Sequence, residues 1–240
     1  MADFPFVDYL NRMLRAVSGA LFASECFSCG RAGARLCDGC VPRLARPREQ
    51  TCIGCSRPSP SGATCARCRG SWHAERLLAA ADYGTAGHAV RAFKYGFDRS
   101  MARPLCALLS CVLRRAGPPR PLAGNPLFVP VPSSSRRMRW RGYNQAALLA
   151  HALANIALMP YGEVLERVRD AGPQARTAGR AERLDAMRGA FACMRPELVR
   201  ERDVILVDDV CTTGATLDAC ALALKDAQAR SVTGLVVARR

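Results

Sequence analysis

The sequence predicts an α/β protein, a parallel sheet flanked by helices, with a small cysteine-rich metal-binding domain at its N-terminus. Three observations lead there. Short aliphatic runs such as Val204–Val207 and Leu127–Val131 alternate with stretches of helical periodicity, the pattern of strands buried on both faces by crossover helices. Residues 204–217 read Val-Ile-Leu-Val-Asp-Asp-Val-Cys-Thr-Thr-Gly-Ala-Thr-Leu, which sets two carboxylates at a strand end before a small polar loop and a helix. Eight of the 13 cysteines fall into four Cys-x2-Cys pairs in the first third of the chain.

In chain order, Val7, Leu10, Leu14, Val17 and Leu21 recur at helical spacing and predict an amphipathic helix over residues 1–24. The knuckles follow: Cys26/Cys29, Cys37/Cys40, Cys52/Cys55 and Cys65/Cys68. Nothing marks the chain as secreted, since Asp3 and Asp8 stand where a leader would be basic. In a reducing, cytoplasmic setting such pairs read as zinc ligands rather than disulfides. Two knuckles complete a four-thiolate site with no open coordination position, so the chain is expected to hold two structural zinc ions. Short spacers favour sequential pairing; interleaved pairing stays open on spacing alone. A composition shift near Trp72 puts the boundary at about residue 75, giving a ribbon domain over 1–75 and a sheet domain over 76–240.

Residues 77–83 read as an opening strand, Gly84 to Gly87 as a turn, and 88–95 as a helix ending in Phe93-Lys94-Tyr95. Residues 101–115 form a clear amphipathic helix, and the Pro/Gly-rich stretch 117–126 a loop. Strand 127–131 runs into a serine loop, Pro132 to Arg137, and a further helix spans about Asn144 to Leu158. Residues 169–182 read as a mobile loop. Leu217, Cys220, Ala221 and Leu224 define a helix, and 232–238 a closing strand.

The 240 residues suffice for one ordinary domain and a small one. There is no 18-residue apolar run, hence no expected membrane span. Net charge is +15, and only Lys94 and Lys225 of the 35 basic residues are lysine. Residues 99–162 contain no carboxylate, and Arg136, Arg137, Arg139 and Arg141 cluster within them. Such a field attracts phosphate, on a small anion or on single-stranded DNA; arginines on solvated faces are the plainer alternative. With aromatics at 6% a base-stacking platform is thinly supplied. Trp72, Tyr95, Trp140 and Tyr143 are its candidates, and packing is the favoured reading for them. Cys106, Cys111, Cys193 and Cys220 read as small core hydrophobes. His73, His88 and His151 form no evident triad or metal cluster.

In open α/β sheets ligands bind beyond the carboxyl ends of the strands. Backbone N–H groups from Cys211 to Thr216 would line an anion cup at a helix N-terminus, with hydroxyls from Thr212, Thr213 and Thr216. Gly214 allows close approach, and Ala215 adds its amide. Asp208 and Asp209 repel phosphate but accept hydrogen bonds from vicinal hydroxyls. The ligand so described is a ribose 5-phosphate. A Walker loop is absent, and a capped β–α turn is the bland alternative. A second anion loop is read at Ser133, Ser134, Arg136 and Arg137, where hydroxyls and a planar guanidinium suit a pyrophosphate.

Residues 204–217 resemble the 5-phosphoribosyl-1-pyrophosphate (PRPP) motif of type I phosphoribosyltransferases. The resemblance implies Asp208 and Asp209 on the ribose hydroxyls, and Thr212, Thr213, Gly214 and Thr216 on the 5-phosphate. The stretch from Val131-Pro132 through Arg137 to Gly142-Tyr143-Asn144-Gln145 fits Val-Pro-x4-Arg-x4-Gly-[Phe/Tyr]-Asn-Gln and resembles the mark of the competence protein ComF family. Phe93-Lys94-Tyr95, Gln174, Glu182-Arg183 and Gly189-Ala190-Phe191 match it too. Ala186 departs from an asparagine common there. The family implies a zinc ribbon joined to a type I phosphoribosyltransferase-like domain, PRPP bound with Mg2+, a cytoplasmic setting, and a link to DNA uptake in natural transformation with its machinery as partners. Two functions follow as expectations. One is transfer of a phosphoribosyl group with pyrophosphate release, Asp208, Asp209 and Arg136 or Arg137 being catalytic; the other is a non-catalytic module binding PRPP or single-stranded DNA. No residue identifies the acceptor.

Overall fold

The computed structural model describes residues 25–45, 49–95, 99–116, 124–169, 187 and 189–240. The helix expected over 1–24 and the loop expected over 169–182 lie outside them, save Arg169. The strands are β1 (Arg76–Asp82), β2 (Leu127–Pro130), β3 (Leu165–Arg167), β4 (Phe191–Cys193), β5 (Asp203–Cys211) and β6 (Ser231–Arg239). The helices are α1 (Val41–Leu44), α2 (Tyr83–Tyr95), α3 (Ala102–Arg115), α4 (Ser135–Arg141), α5 (Gln145–Ala157) and α6 (Ala215–Asp226). The main sheet is parallel throughout, in the order β1-β6-β5-β2. The expected fold class, a parallel sheet flanked by helices, is the one found.

The period of two along each strand sorts the core onto two faces. Ile205, Val207, Leu235, Val237 and Phe128 pack with α2, α3 and α5. Val204, Leu206, Val236, Leu127 and Val129 pack with α6 and the small antiparallel pair β3–β4. That pair had no clear signal, being three residues per strand. The 84–87 turn is corrected: α2 begins directly at Tyr83, with both glycines inside it. Gly84 falls in the first turn, where N–H groups have no intrahelical acceptor anyway. A Cβ on Gly87 would lie 3.0 Å from the Tyr83 ring, so the glycine leaves room for that ring. The stretch read as loop through Arg137 is helical from Ser135 onward. α5 matches its expectation: Asn144 is the N-cap, its side chain accepting from the Ala146 N–H, and Leu158 closes it in the left-handed region at φ 54°.

The cysteine-rich segment is a doubled unit. Glu25–Ala32 and Thr51–Pro58 form equivalent antiparallel bridges, and the Cys26 and Cys52 amides donate to the Arg31 and Arg57 carbonyls at 2.8 and 2.9 Å. Gly30 and Ser56 take the same left-handed position in each copy, at φ 72° and 60°. The copies dock differently. The first lies with α1 against α3, where Arg115 donates to the Ala45 carbonyl at 2.7 Å. The second runs along the outer edge of β1. There Ala63 bridges Arg76, and Leu77 donates to the Gly62 carbonyl at 2.9 Å. A Cβ on Gly62 would sit 2.2 Å from the Leu77 oxygen, so only glycine admits that approach. Gln50 acts as a one-residue strand on the same edge. Its amide donates to the Ala79 carbonyl at 2.9 Å and accepts from the Ala79 N–H at 3.0 Å. An open edge of a parallel sheet is a template for association, and these contacts close it.

Replacing Gln50 with Ala would strip both partners from a buried backbone group. The expected cost is about 1–3 kcal/mol, read as a lower urea midpoint with an unchanged slope.

Candidate functional site

β5 carries four buried aliphatic residues to the sheet's C-terminal edge and continues through the acid pair to Cys211. Asp209 is buried and pairs with Lys94 Nζ at 2.7 Å. Asp208 Oδ1 accepts from the Asp209 N–H at 2.8 Å. Removal from water and then the neighbouring charge of Asp209 push the Asp208 carboxyl up to about 7, against the pull of Lys94 and Arg137. Lys94 therefore belongs to the site. Its side chain comes from the end of α2, 115 residues before its partner. The only hint in the sequence was its place in the Phe-Lys-Tyr segment.

The turn after the acids is tighter than expected. Thr212 to Gly214 form it, Cys211 still belongs to β5 with a buried side chain, and Ala215 and Thr216 open α6. Gly214 is the N-cap at φ 83°, a conformation that L side chains rarely adopt. Thr213 Oγ1 accepts from the Ala215 N–H at 3.4 Å, and the Asp218 N–H closes the first helical bond to the Gly214 carbonyl at 2.9 Å. Thr212 is exposed and Thr213 and Thr216 are half-buried, so hydroxyls and first-turn amides stand together at a helix N-terminus, as an anion requires.

β2 runs parallel to β5, with Pro130 beside Val207, so its following loop leaves the same edge as the acids. The Val131 N–H donates to the Val207 carbonyl at 2.9 Å. Ser133 Oγ and Asn144 Oδ1 are 3.0 Å apart, while Asn144 Nδ2 donates to the Val131 carbonyl, also at 3.0 Å, bracing the loop. Ser134 caps α4 by accepting from the Arg137 N–H. Arg136 and Arg137 are both exposed, and Arg137 is the one whose charge acts on Asp208. Beside them Tyr95 and Trp140 are 58% and 53% exposed, their ring centroids 6.0 Å apart, with the Arg141 guanidinium against both rings. The packed reading thus holds for Tyr143, whose hydroxyl donates to the Phe93 carbonyl, but not for this pair. Cys106, Cys111 and Cys220 are buried as expected, while Cys193 is half-buried.

Two cysteine clusters are built by sequential pairing: Cys26, Cys29, Cys37 and Cys40, then Cys52, Cys55, Cys65 and Cys68, the sulfurs of each lying within 4.8 Å of one another. The Cys37 and Cys65 amides donate to Cys26 and Cys52 Sγ at 3.4 Å. Burial opposes ionisation of Cys26 and Cys52, but amide donors outweigh it and lower both thiols to about 6. Their partners move the other way. Ser28 lowers Cys40, yet burial and the neighbouring thiols carry it to about 11; burial and the same crowding raise Cys68 to about 12. Four crowded sulfurs aimed at one point fit a tetrahedral zinc ion and leave no position for substrate. The candidate role is structural.

Each purified chain is expected to carry two zinc ions by plasma emission, and Cys68→Ser to carry one. Because the high-titrating thiols must lose protons to bind metal, zinc affinity should weaken as pH falls. Burial and the charge of Asp209 push the Asp208 carboxyl up to about 7 in the fold, against about 3.9 when unfolded. Between those values the folded chain binds more protons, so this group lowers stability as pH rises from about 4 to about 7. In a carboxyl 13C NMR titration, Lys94→Met should raise the Asp208 midpoint further and Asp209→Asn should lower it.

No family model matches the chain. DNA utilization protein YhgH of Salmonella typhi is 31% identical over 191 residues, 76% of this chain and 80% of that protein. The YhgH of Escherichia coli K12 is 29% identical over 188 residues with the same coverage. Competence protein F of Haemophilus influenzae is 33% identical over 132 residues, 54% of this chain and 57% of that protein. Among solved structures, the allosteric regulatory enzyme of purine biosynthesis is 21% identical with a TM-score of 0.34, over 53% of this chain and 24% of that one, a likeness too loose to weigh. Among the described residues no helix is long and apolar enough to cross a membrane. The Salmonella relative, aligned over four-fifths of its length, carries the conclusion that this chain belongs to the competence protein ComF family, alongside the YhgH proteins.

Proposed function

We propose that the chain binds PRPP with Mg2+ across the C-terminal edge of its sheet and transfers the phosphoribosyl group, releasing pyrophosphate. One observation carries this reading: an acid pair, a Thr-Thr-Gly turn opening a helix, and a serine–arginine loop share a single sheet edge. Asp208 and Asp209 accept the ribose 2- and 3-hydroxyls. Amides and hydroxyls from Thr212 to Thr216 take the 5-phosphate, and Ser133, Ser134 and Arg137, with Arg136 beside it, take the pyrophosphate. Mg2+ supplies charge neutralisation on the pyrophosphate.

In the transfer the C1–O bond to pyrophosphate breaks as the acceptor's lone pair forms the new bond at C1. Positive charge develops on the ribose above the carboxylates, and negative charge on the leaving group beside Arg137. Fixed charges aimed at both lower the barrier without reorganisation. Residues 76–240 do this chemistry and residues 1–75 supply the thiolate sites. We put the setting in the cytoplasm and the work in DNA uptake and utilisation, a reading supported by relatives named DNA utilization protein YhgH and Competence protein F.

A second reading, a module for single-stranded DNA, is favoured by the exposed Tyr95 and Trp140 within the arginine-rich stretch. Stacking on such rings is worth about 1–3 kcal/mol per base.

Isothermal titration of PRPP with Mg2+ should show binding to the wild type. A variant with Asp208→Ala and Asp209→Ala should lose about 100-fold or more, each charged hydrogen bond counting for about 1.5–3 kcal/mol. Equal affinity for both removes the ribose site. Pyrophosphate release with a panel of nucleobases tests transfer. Oligonucleotide binding that falls steeply with salt, and further with Tyr95→Ala and Trp140→Ala, would instead favour the DNA module.

A further inference from the structure

The two thiolate clusters share one design but not one neighbourhood. Among the described residues the second alone reaches the turn that follows the acid pair, and it does so at three points. First, the Trp72 ring is wedged between the ribbon and the turn. A Cβ on Gly54 would lie 2.8 Å from Trp72 Nε1 and 2.7 Å from Cys68 Sγ; a Cβ on Gly214 would lie 2.9 Å from both Trp72 Cζ3 and Ile53 Cγ1. Gly214 is thus pressed from above by two ribbon side chains, and its left-handed torsion is held there by packing. Second, His73 grips the first turn of α6. Its N–H donates to Asp218 Oδ1 at 2.6 Å, and its Nδ1 stands 3.1 Å from Asp218 Oδ2. Third, Arg239 lies beside Cys211 in the ladder and donates to the carbonyls of Thr51 and Cys52 at 3.0 and 2.9 Å.

These contacts all come from residues 51–73, the segment whose shape four thiolates would fix. A ribbon this small has little core of its own and depends on its metal for shape. Without that shape, Trp72 and Ile53 have no fixed seat, and Gly214 loses the surface that sets its torsion. The first cluster packs with α1 against α3 and makes none of these contacts.

We propose that Ile53, Trp72 and His73 are positioning residues for the Thr212–Gly214 turn, so that metal in the Cys52/Cys55/Cys65/Cys68 site, and not in the first site, sets the conformation and anion affinity of that turn. The affinity part rests on the PRPP reading above; the conformational part does not. By linkage the coupling runs both ways: whatever factor the metal adds to ligand affinity, the ligand adds to metal retention.

Hydrogen–deuterium exchange of the full chain tests it. Cys65→Ser with Cys68→Ser should strip protection at least tenfold from peptides covering 210–220, while strands 204–207 and 232–238 stay protected. Cys37→Ser with Cys40→Ser should leave 210–220 unchanged. Trp72→Ala keeps all eight cysteines and should retain two zinc ions, yet expose 210–220 and weaken PRPP about tenfold; Trp72→Phe should restore most of both. In the wild type, PRPP with Mg2+ should slow loss of one zinc of the two to a chelator by the matching factor.

Unchanged protection of 210–220 after emptying the second site, or equal loss from emptying either site, overturns the proposal. So does Trp72→Ala with normal exchange there. A wild type that ignores PRPP would sink the ligand reading alone, because the exchange measurements still decide the rest.

Discussion

Two adjacent carboxylates at the mouth of a buried strand repel each other, and the charge of Lys94 is what makes that arrangement tenable. Without it β5 would deliver two like charges into a partly dry crevice, each raising the cost of ionising the other. The 2.7 Å pair with Asp209 brings a counter-charge to the couple, while burial and the neighbouring Asp209 push the Asp208 carboxyl up to about 7. The geometry around it follows. α2 must end where Lys94 reaches across, β2 must run parallel to β5 so that Arg137 faces the same crevice, and the turn to α6 must be short enough to stay at the rim.

The parallel sheet supplies that convergence at low cost. All four strands point one way, so every strand-to-helix connection emerges at one edge. Crossover helices bury both faces and leave that edge as the place where polar groups gather without disturbing the core. The doubled ribbon then closes what the sheet leaves open, its second copy covering the edge of β1 and reaching the turn.

Much of this was legible in the sequence because the signals are local. Val204 to Val207 announce a doubly buried strand with Asp208 and Asp209 at its end, Asn144 to Leu158 announce a helix, and the Cys-x2-Cys spacing announces metal-binding knuckles, the sequential pairing being favoured by short spacers but decided only by the fold. What was missed depends on partners far along the chain. Gly87 is a local exception, read as part of a turn because the sequence does not show that the Tyr83 ring, four residues earlier, lies against it. Lys94 carried no sign of its pairing with Asp209, nor Trp72 of its seat on Gly214, since neither contact leaves a periodic trace. α4 was hidden because four arginines, a tryptophan and a methionine in seven residues show no apolar stripe.

A chain that writes its positive charge in arginine has kept lysine at only two places, and both lie in ion pairs: Lys94 with Asp209, and Lys225 with Glu75. Guanidinium groups do not take part in the acylation chemistry that silences ammonium groups. Acetyl transfer, enzymatic or spontaneous, would therefore leave the surface field of this molecule almost untouched. On the C-terminal edge of the sheet it has one lysine target, the counter-ion of the acid pair.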